Sequence, residues 1–319
     1  MKRSIPITVG YLLNPDPIFY NELDFYFINA LQNNGLKVIQ LQLKEISIKA
    51  SKEGIQIFNA KEKLQKLDGF LSYGYMSNLN MQKYLYLVKS LEQMGVYCLY
   101  GSEAIRILTD KCLQSLMFAQ AGLHVPDTYF AADIESIRHA YSNLPGKSII
   151  KSLNDYGGDG VILMNHPDQG VDVSVKRLWN SQLSIQQKYI SGCEGQSIRV
   201  LIVNNKPIAC ITYIDKAGDF RSNSNFHENF TTSNLINHQK FDKYCEVALA
   251  ALKSAKIQIL HAGVDLIDDM ENIHVLEMNI WPDMLDIGAT TNLDTVDLLT
   301  KAFKEKVLLN IPQIKADPQ

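Results

Sequence analysis

The sequence lacks several features that would assign a chain to a class at once. No uninterrupted apolar run approaches the roughly 18 residues needed to cross a bilayer. The formal net charge is only −3, so nothing global favours nucleic acid or an anionic membrane as a partner. Met1 to Leu13 carries two basic residues before Pro15 and Pro17, with no small-residue cleavage site after them, which predicts a first strand instead of a signal peptide.

Catalytic and metal signatures are also scarce. The five cysteines are odd in number and contain no Cys-x-x-Cys pair, which excludes the usual zinc and redox motifs and predicts free thiols in a reducing cytoplasm. Neither a Walker A loop nor a Gly-x-Gly-x-x-Gly fingerprint is present. No Ser/His/Asp or Cys/His arrangement stands out, and there are no internal repeats. With 319 residues, of which 46% are apolar, the chain is long enough for more than one core.

What the sequence does contain, at its amino end, is a regular alternation of strand and helix patterns. The predicted elements in order are strand Pro6 to Leu13, helix Tyr20 to Asn33, strand Lys37 to Leu43, strand Asp68 to Tyr73, helix Met81 to Met94 and strand Val96 to Tyr100. Alternation of this kind predicts a parallel sheet covered on both faces. Between them, Ile46 to Ile57 predicts an edge strand or a hairpin.

After Asp110 the pattern changes, and antiparallel structure is predicted. A helix covers about Lys111 to Ala121, and two hairpins follow, one closed by a glycine-rich loop and one by Asn204-Asn205. The remaining predicted elements are a helix at Phe241 to Ala255, strands Ala262 to Leu266 and Ile273 to Met278, and a helix at Leu293 to Leu309.

Three segments of this second part carry polar residues suited to chemistry. In the first, Lys151 ends a strand and a loop with Gly157, Gly158 and Gly160 follows, which suits phosphate oxygens but also describes an ordinary glycine hairpin. In the second, Asp265 lies in one strand while Glu277 and Asn279, two residues apart, share one face of the next.

Two carboxylates and an amide oxygen on one face favour a Mg²⁺ site, although solvated polar residues on an open sheet would give the same pattern. The third segment, Gly218 to Asn223, contains Arg221 and the amide side chain of Asn223. A guanidinium and an amide side by side suit the binding of an anionic group. Without further context it would equally be a polar surface loop.

The order and spacing of these segments resemble the ATP-grasp superfamily, and most of all the RimK-like carboxylate–amine ligases of the glutamate ligase type. The resemblance covers residues 96 to 300. It implies an α/β and α+β chain: an ATP-grasp fold preceded by a parallel-sheet pre-ATP-grasp domain. The modules expected from it are 1–110 (pre-ATP-grasp domain), 111–185 (first ATP-grasp subdomain, with the glycine loop) and 186–319 (second subdomain, with the hinge and the metal-binding strands).

Residue roles also follow from the resemblance. The ATP-binding set it implies is Lys111, Lys151, Gly157, Gly158, Gly160, the hinge Gln187, Lys188, Tyr189 and Ile190, and Glu194 and Ser197 at the ribose. The implied catalytic residues are Arg199, Arg221 and Asn223. The implied metal ligands are Asp265, Glu277 and Asn279, for Mg²⁺ with Mn²⁺ as an alternative ion.

The function that the resemblance implies is ATP-dependent, ADP-forming joining of a carboxylate to an amine through an acyl-phosphate. The expected partners are small-molecule carboxylate and amine substrates or a peptide or protein-terminus acceptor, with homo-oligomerisation left open and a cytoplasmic location expected. No side-chain nucleophile is required, which agrees with the missing triad. The acceptor and donor are not identified by the sequence.

Some positions depart from the family pattern. Lys188 replaces an acidic hinge residue, and Ser197 replaces the ribose-binding acid, with Glu194 as a substitute. In the strand before Gly218, where an arginine is usual, this chain has Thr212-Tyr213-Ile214. These departures keep a second hypothesis open, a non-catalytic ATP-binding or regulatory protein with the same fold. The complete set of Asp265, Glu277 and Asn279 favours the enzyme.

Overall fold

The computed structural model describes residues 6–14, 17–74, 78–144, 146–151, 161–166, 170–174, 176, 183–193, 195–216, 218–221 and 230–311. The chain divides into two compact units. The first contains residues 1–105, 259–261 and 283–319, and the second contains residues 106–258 and 262–282. The division into three contiguous modules at 110 and 185 stays a prediction.

Helices and strands alternate early in the chain and strands dominate its middle, as the sequence predicts. Up to residue 144 the elements are β1 (Thr8–Leu12), α1 (Pro17–Asn33), β2 (Lys37–Leu41), β3 (Ile46–Ser51), β4 (Gly54–Asn59), β5 (Glu62–Lys63), β6 (Gly69–Ser72), α2 (Asn78–Gln93), β7 (Tyr97–Cys98), α3 (Ser102–Leu108), α4 (Lys111–Gln120), β8 (Thr128–Ala131) and α5 (Ile134–Asn143). After it they are β9 (Ser148–Lys151), β10 (Ile162–Met164), β11 (Ser184–Lys188), β12 (Gln196–Val203), β13 (Lys206–Asp215), β14 (Phe230–Asn234), α6 (Phe241–Ser254), β15 (His261–Asp268), β16 (Ile273–Asn279), α7 (Leu285–Thr291) and α8 (Thr295–Asn310).

The first unit is built on a parallel sheet with the order β2-β1-β6-β7, which confirms the predicted β-α-β opening. The last helix, α8, packs against α1 and also reaches this sheet. A Cβ at Gly69 would lie 2.6 Å from the Val307 side chain and 2.9 Å from Phe303, so the glycine allows α8 its close approach to β6. The two ends of the described chain therefore share one core. The segment after β2, expected as an edge strand or a hairpin, is a hairpin, extended to three antiparallel strands by β5.

The second unit contains two antiparallel sheets. The smaller has the order β10-β9-β11-β8 and packs on α5 through a core that includes Ile137, Tyr141 and Ile150. The pairing of β9 with β10 confirms the strands of the predicted hairpin. Its glycine loop, with Gly157, lies outside the described residues.

The larger sheet has the order β14-β13-β12-β15-β16, and α6 packs against it. Asn204 and Asn205 connect β12 to β13 with φ values of 50° and 60°, the left-handed conformation that a two-residue hairpin requires, as predicted. Strands β15 and β16 pair antiparallel with Asp265 opposite Glu277. Across the part of the chain that the structure describes, every helix is too short or too polar to span a bilayer.

Candidate active site

A single cleft in the second unit brings together most of the residues that the sequence analysis selects. The predicted residues that line it are Lys111, Lys151, Gln187, Lys188, Tyr189, Ile190, Ser197, Arg221, Asp265 and Glu277. Because these side chains come from both sheets, from α4 and from the segment after β13, neither sheet alone could form the cleft.

The acidic end of the cleft is formed by the paired strands β15 and β16. Asp265 and Glu277 are direct cross-strand partners, so their side chains share one face of the sheet. Arg199, from the neighbouring strand β12, donates from Nε to Asp265 Oδ1 and from Nη2 to Oδ2, both at 2.7 Å. Both side chains are buried, at 11% and 5% exposure. Arg199 is therefore paired with Asp265, and its guanidinium lies 5.3 Å from the Tyr213 ring centre.

Asn279 completes this arrangement by donating from Nδ2 to Asp265 Oδ2 at 2.9 Å. With the two bonds from Arg199, the Asp265 carboxylate accepts three of the roughly four hydrogen bonds that a carboxylate can accept. A cation could therefore still be bound at Oδ1. The Asn279 amide oxygen, which takes no part in that bond, and the Glu277 carboxylate would supply further oxygen ligands.

This donor set fits a hard divalent cation such as Mg²⁺, which prefers carboxylate and amide oxygens and keeps several waters. Within the described ranges no group of three His, Cys, Asp or Glu side chains gathers closely enough to hold a metal alone. The predicted set of Asp265, Glu277 and Asn279 is not a group of that kind, because its third member is an asparagine.

Charge and burial act together on the titratable groups here. Burial raises the pKa of Asp265, and Arg199 opposes that shift. Burial lowers the pKa of Lys151; Glu277 opposes this shift and the Lys111 ammonium adds to it. Two ammonium groups that repel each other in a half-buried cleft are stabilised by an anion bound between them. Lys111 and Lys151 thus favour phosphate groups as ligands.

The local structure explains why Lys111 and Lys151 face this cleft. Helix α4 begins directly after Asp110, whose carboxylate accepts from the Leu113 N–H at 2.9 Å and caps the helix. Lys111 is therefore the first residue of the helix. Lys151 is the last residue of β9 and pairs with Ile185 of the central strand β11.

Several other residues that line the cleft, among them Tyr189, Ile190 and Phe220, are apolar or aromatic. The backbone N–H groups of Lys188 and Tyr189 donate to the carbonyl oxygens of Asp127 and Lys147, which attaches the predicted hinge to the smaller sheet. The Tyr189 ring makes an edge contact with Phe220 at 6.4 Å between ring centres. A flat ring system such as a purine fits such a wall.

Some lining residues do not appear among the sequence predictions. Ile149, Leu276 and Phe220 supply apolar walls, and Cys193 and Gln196 flank the predicted ribose position. Phe220 could have been predicted from the sequence as a lining residue, since it directly precedes the predicted residue Arg221. Conversely, the predicted residues Gly157, Gly158, Gly160, Glu194 and Asn223 lie outside the described residues.

The chain also matches known proteins. The family model for the RimK-like ATP-grasp domain matches residues 108–302. A Haemophilus influenzae protein named probable alpha-L-glutamate ligase is 26% identical over 208 residues, which covers 65% of this chain and 67% of the relative. A Vibrio atlanticus protein of the same name is 29% identical over 222 residues, covering 69% and 71%.

Solved structures give the same fold. The ATP-grasp ligase PsnB in complex with a minimal precursor superposes with a TM-score of 0.70 at 15% identity, covering 95% of this chain and all of that one. D-alanyl-alanine synthetase A from Vibrio cholerae superposes with a TM-score of 0.69 at 14% identity, covering 95% and 99%. These findings confirm the predicted fold class and support the predicted ligase activity. The chain belongs to the RimK-like ATP-grasp family.

Proposed function

We propose that this protein is an ATP-dependent carboxylate–amine ligase that acts on an amino acid or a peptide. The observation that carries the proposal is the convergence of Lys111, Lys151 and Arg221 with Asp265 and Glu277 in one cleft. Cations at one set of positions and carboxylates at another can bind a polyphosphate and its metal together.

Joining a carboxylate to an amine requires activation, because oxide is too poor a leaving group. ATP supplies the phosphoryl group that converts the carboxylate into an acyl-phosphate, from which the amine displaces phosphate. In this chain Lys111 and Lys151 would contact the ATP phosphates, and the apolar wall with Tyr189 would take the base.

The acidic end of the cleft completes the assignment. Asp265, Glu277 and Asn279 would bind Mg²⁺, which neutralises phosphate charge when bound. Arg199 orients the Asp265 carboxylate through its two 2.7 Å bonds, and Arg221 would face the anionic reacting groups. These residues orient reactants and balance charge, so no side-chain nucleophile is needed.

The test is an assay that couples ADP release to MgATP, with amino acids, dipeptides and amines as substrates. L-Glutamate is tried first because the relatives are named glutamate ligases. We expect ADP and phosphate only when a matching carboxylate and amine are both present, and mass spectrometry should show the amide product. Tight ATP binding without turnover over a broad panel would contradict the proposal and favour the non-catalytic binding protein.

The same assay tests the choice of metal ion. Mn²⁺ should replace Mg²⁺, because both ions accept oxygen ligands. The five cysteines are free thiols, which supports a reducing, cytoplasmic location for the reaction. We leave the oligomeric state to a light-scattering measurement.

Lys151 provides a direct test of nucleotide binding. Lys151→Ala should weaken MgATP binding roughly 10- to 100-fold, because a hydrogen bond to a charged group contributes about 1.5–3 kcal/mol. The readout is the rise in Tm on adding MgATP, which shrinks as affinity falls. Lys206→Ala, at an exposed position at the start of β13, is the matched control. An unchanged Tm rise in Lys151→Ala would remove Lys151 from the phosphate site.

A further inference from the structure

The segment that leads from β13 to Arg221 is bonded to the start of β12. The Asp215 N–H donates to the Gly195 carbonyl at 2.8 Å, and the Gly195 N–H donates to the Phe220 carbonyl at 3.3 Å. The Asp215 carboxylate in turn accepts from the Asp219 N–H at 2.7 Å. These bonds fix the backbone on either side of Asp219.

Gly195 makes this close approach possible. Its φ is +66°, in the left-handed region, and a Cβ at this position would lie 2.8 Å from the backbone oxygen of Asp219. The backbone at Asp219 therefore packs directly against the start of β12, where Gln196 and Ser197 line the cleft. The backbone of Asp219 is thus placed by the cleft wall itself.

The Asp219 side chain points back onto Arg221. Arg221 donates from Nη2 to Asp219 Oδ2 at 2.7 Å and from Nε to Oδ1 at 3.1 Å, and its backbone N–H donates to Oδ1 at 2.9 Å. The guanidinium also lies 5.6 Å from the Phe220 ring centre. Two groups of the guanidinium, Nε and Nη2, are thus bonded to one carboxylate, while Arg221 also lines the cleft. Asp219 therefore fixes the orientation of Arg221 at the cleft wall.

We propose that Asp219 is a positioning residue that holds the Arg221 guanidinium in the cleft, ready for an anionic phosphoryl or carboxylate group of the reacting substrates. The proposal rests on the proposed function, since it assumes that Arg221 meets a reacting anion. Arginine has a long side chain with many rotamers, and a bound anion alone would have to order it. The carboxylate of Asp219 orders the Arg221 side chain before the anion binds. Less conformational entropy is therefore lost when the transition state forms.

The first test replaces Asp219 with asparagine, which keeps the size and removes the charge. We expect kcat to fall by about 10- to 100-fold, as for a catalytic group misplaced by about 1 Å, with little change in the KM for ATP. Asp219→Glu should restore part of the rate. Asp242→Asn, an exposed carboxylate at the start of α6, is the matched control and should leave kcat unchanged. A kcat for Asp219→Asn equal to wild type would overturn the proposal.

A double-mutant cycle separates positioning from a general structural role. If Asp219 acts through Arg221, then Asp219→Asn should cost nothing further in an Arg221→Ala background. Losses that multiply would show that Asp219 acts independently of Arg221, against the proposal.

A measurement without turnover separates this proposal from the proposed function. In protein with ¹⁵N-labelled arginine, the Arg221 Nε–H signal is assigned by its loss in Arg221→Ala. Its order parameter should be high in the wild type and lower in Asp219→Asn. If the order parameter changes but no substrate pair is ligated, only the proposed function fails. An unchanged order parameter overturns the positioning role even in an active ligase.

Discussion

Glu277→Gln is expected to lower kcat by about 10²-fold or more, because it removes a charged oxygen ligand from the site where phosphate charge is neutralised. Glutamine has nearly the size of glutamate, so no core volume is lost. Glu277 lines the cleft opposite Asp265 and is only partly buried. We therefore expect an unchanged Tm without ligand, measured by calorimetry, together with the lost turnover.

The control for this prediction is Glu271→Gln, an exposed position in the turn between β15 and β16. Both variants remove one negative charge from the same hairpin, so long-range electrostatics alone would affect them alike. Glu271→Gln should retain wild-type kcat. If Glu277→Gln also retained it, Glu277 would not be a metal ligand.

Arg199→Met is expected to lower the free energy of unfolding by about 3–5 kcal/mol, since it leaves the Asp265 carboxylate buried without its charged partner. For a unit of this size that corresponds to a Tm lower by roughly 10 °C. The loss should lessen as the pH is lowered. Burial raises the pKa of Asp265 and Arg199 opposes that shift, so without Arg199 the native variant binds a proton at higher pH than the wild type does and gains more stability as pH falls.

A second substitution separates stability from function at this pair. Arg199→Met/Asp265→Leu should recover most of the lost stability, because a buried ion pair can be replaced by apolar side chains at little cost. The double variant should nevertheless remain inactive, since it lacks a metal ligand. A double variant as unstable as Arg199→Met would show that the ion pair is not the source of the loss.

The sequence predicts strands β15 and β16 well because the placement of their polar residues follows a local rule. Residues two apart in a strand share a face, so the spacing alone places Glu277 and Asn279 together. The turn at Asn204-Asn205 was predictable for a similar reason, because asparagine tolerates the positive φ that a two-residue hairpin needs.

Such local rules do not predict which residues that are distant in the sequence contact each other in the fold. The resemblance implies a catalytic role for Arg199 but does not give its partner in the fold, which the structure shows to be Asp265, 66 positions later in the chain. Likewise, helical periodicity predicts that α8 buries one face but does not specify what it packs against. The contact with Gly69 depends on the whole topology, which no local pattern contains.

The packing of α8 on the first sheet also has a consequence for synthesis on the ribosome. About 190 residues separate Ile105 from Thr295, where α8 begins. At about 5–20 residues per second the ribosome needs roughly 10–40 s to make them. Throughout that time the nascent parallel sheet lacks the helix that covers Gly69, and the second unit, which ends at residue 282, is completed before that helix is made. The second unit can therefore fold before the first unit acquires its last helix.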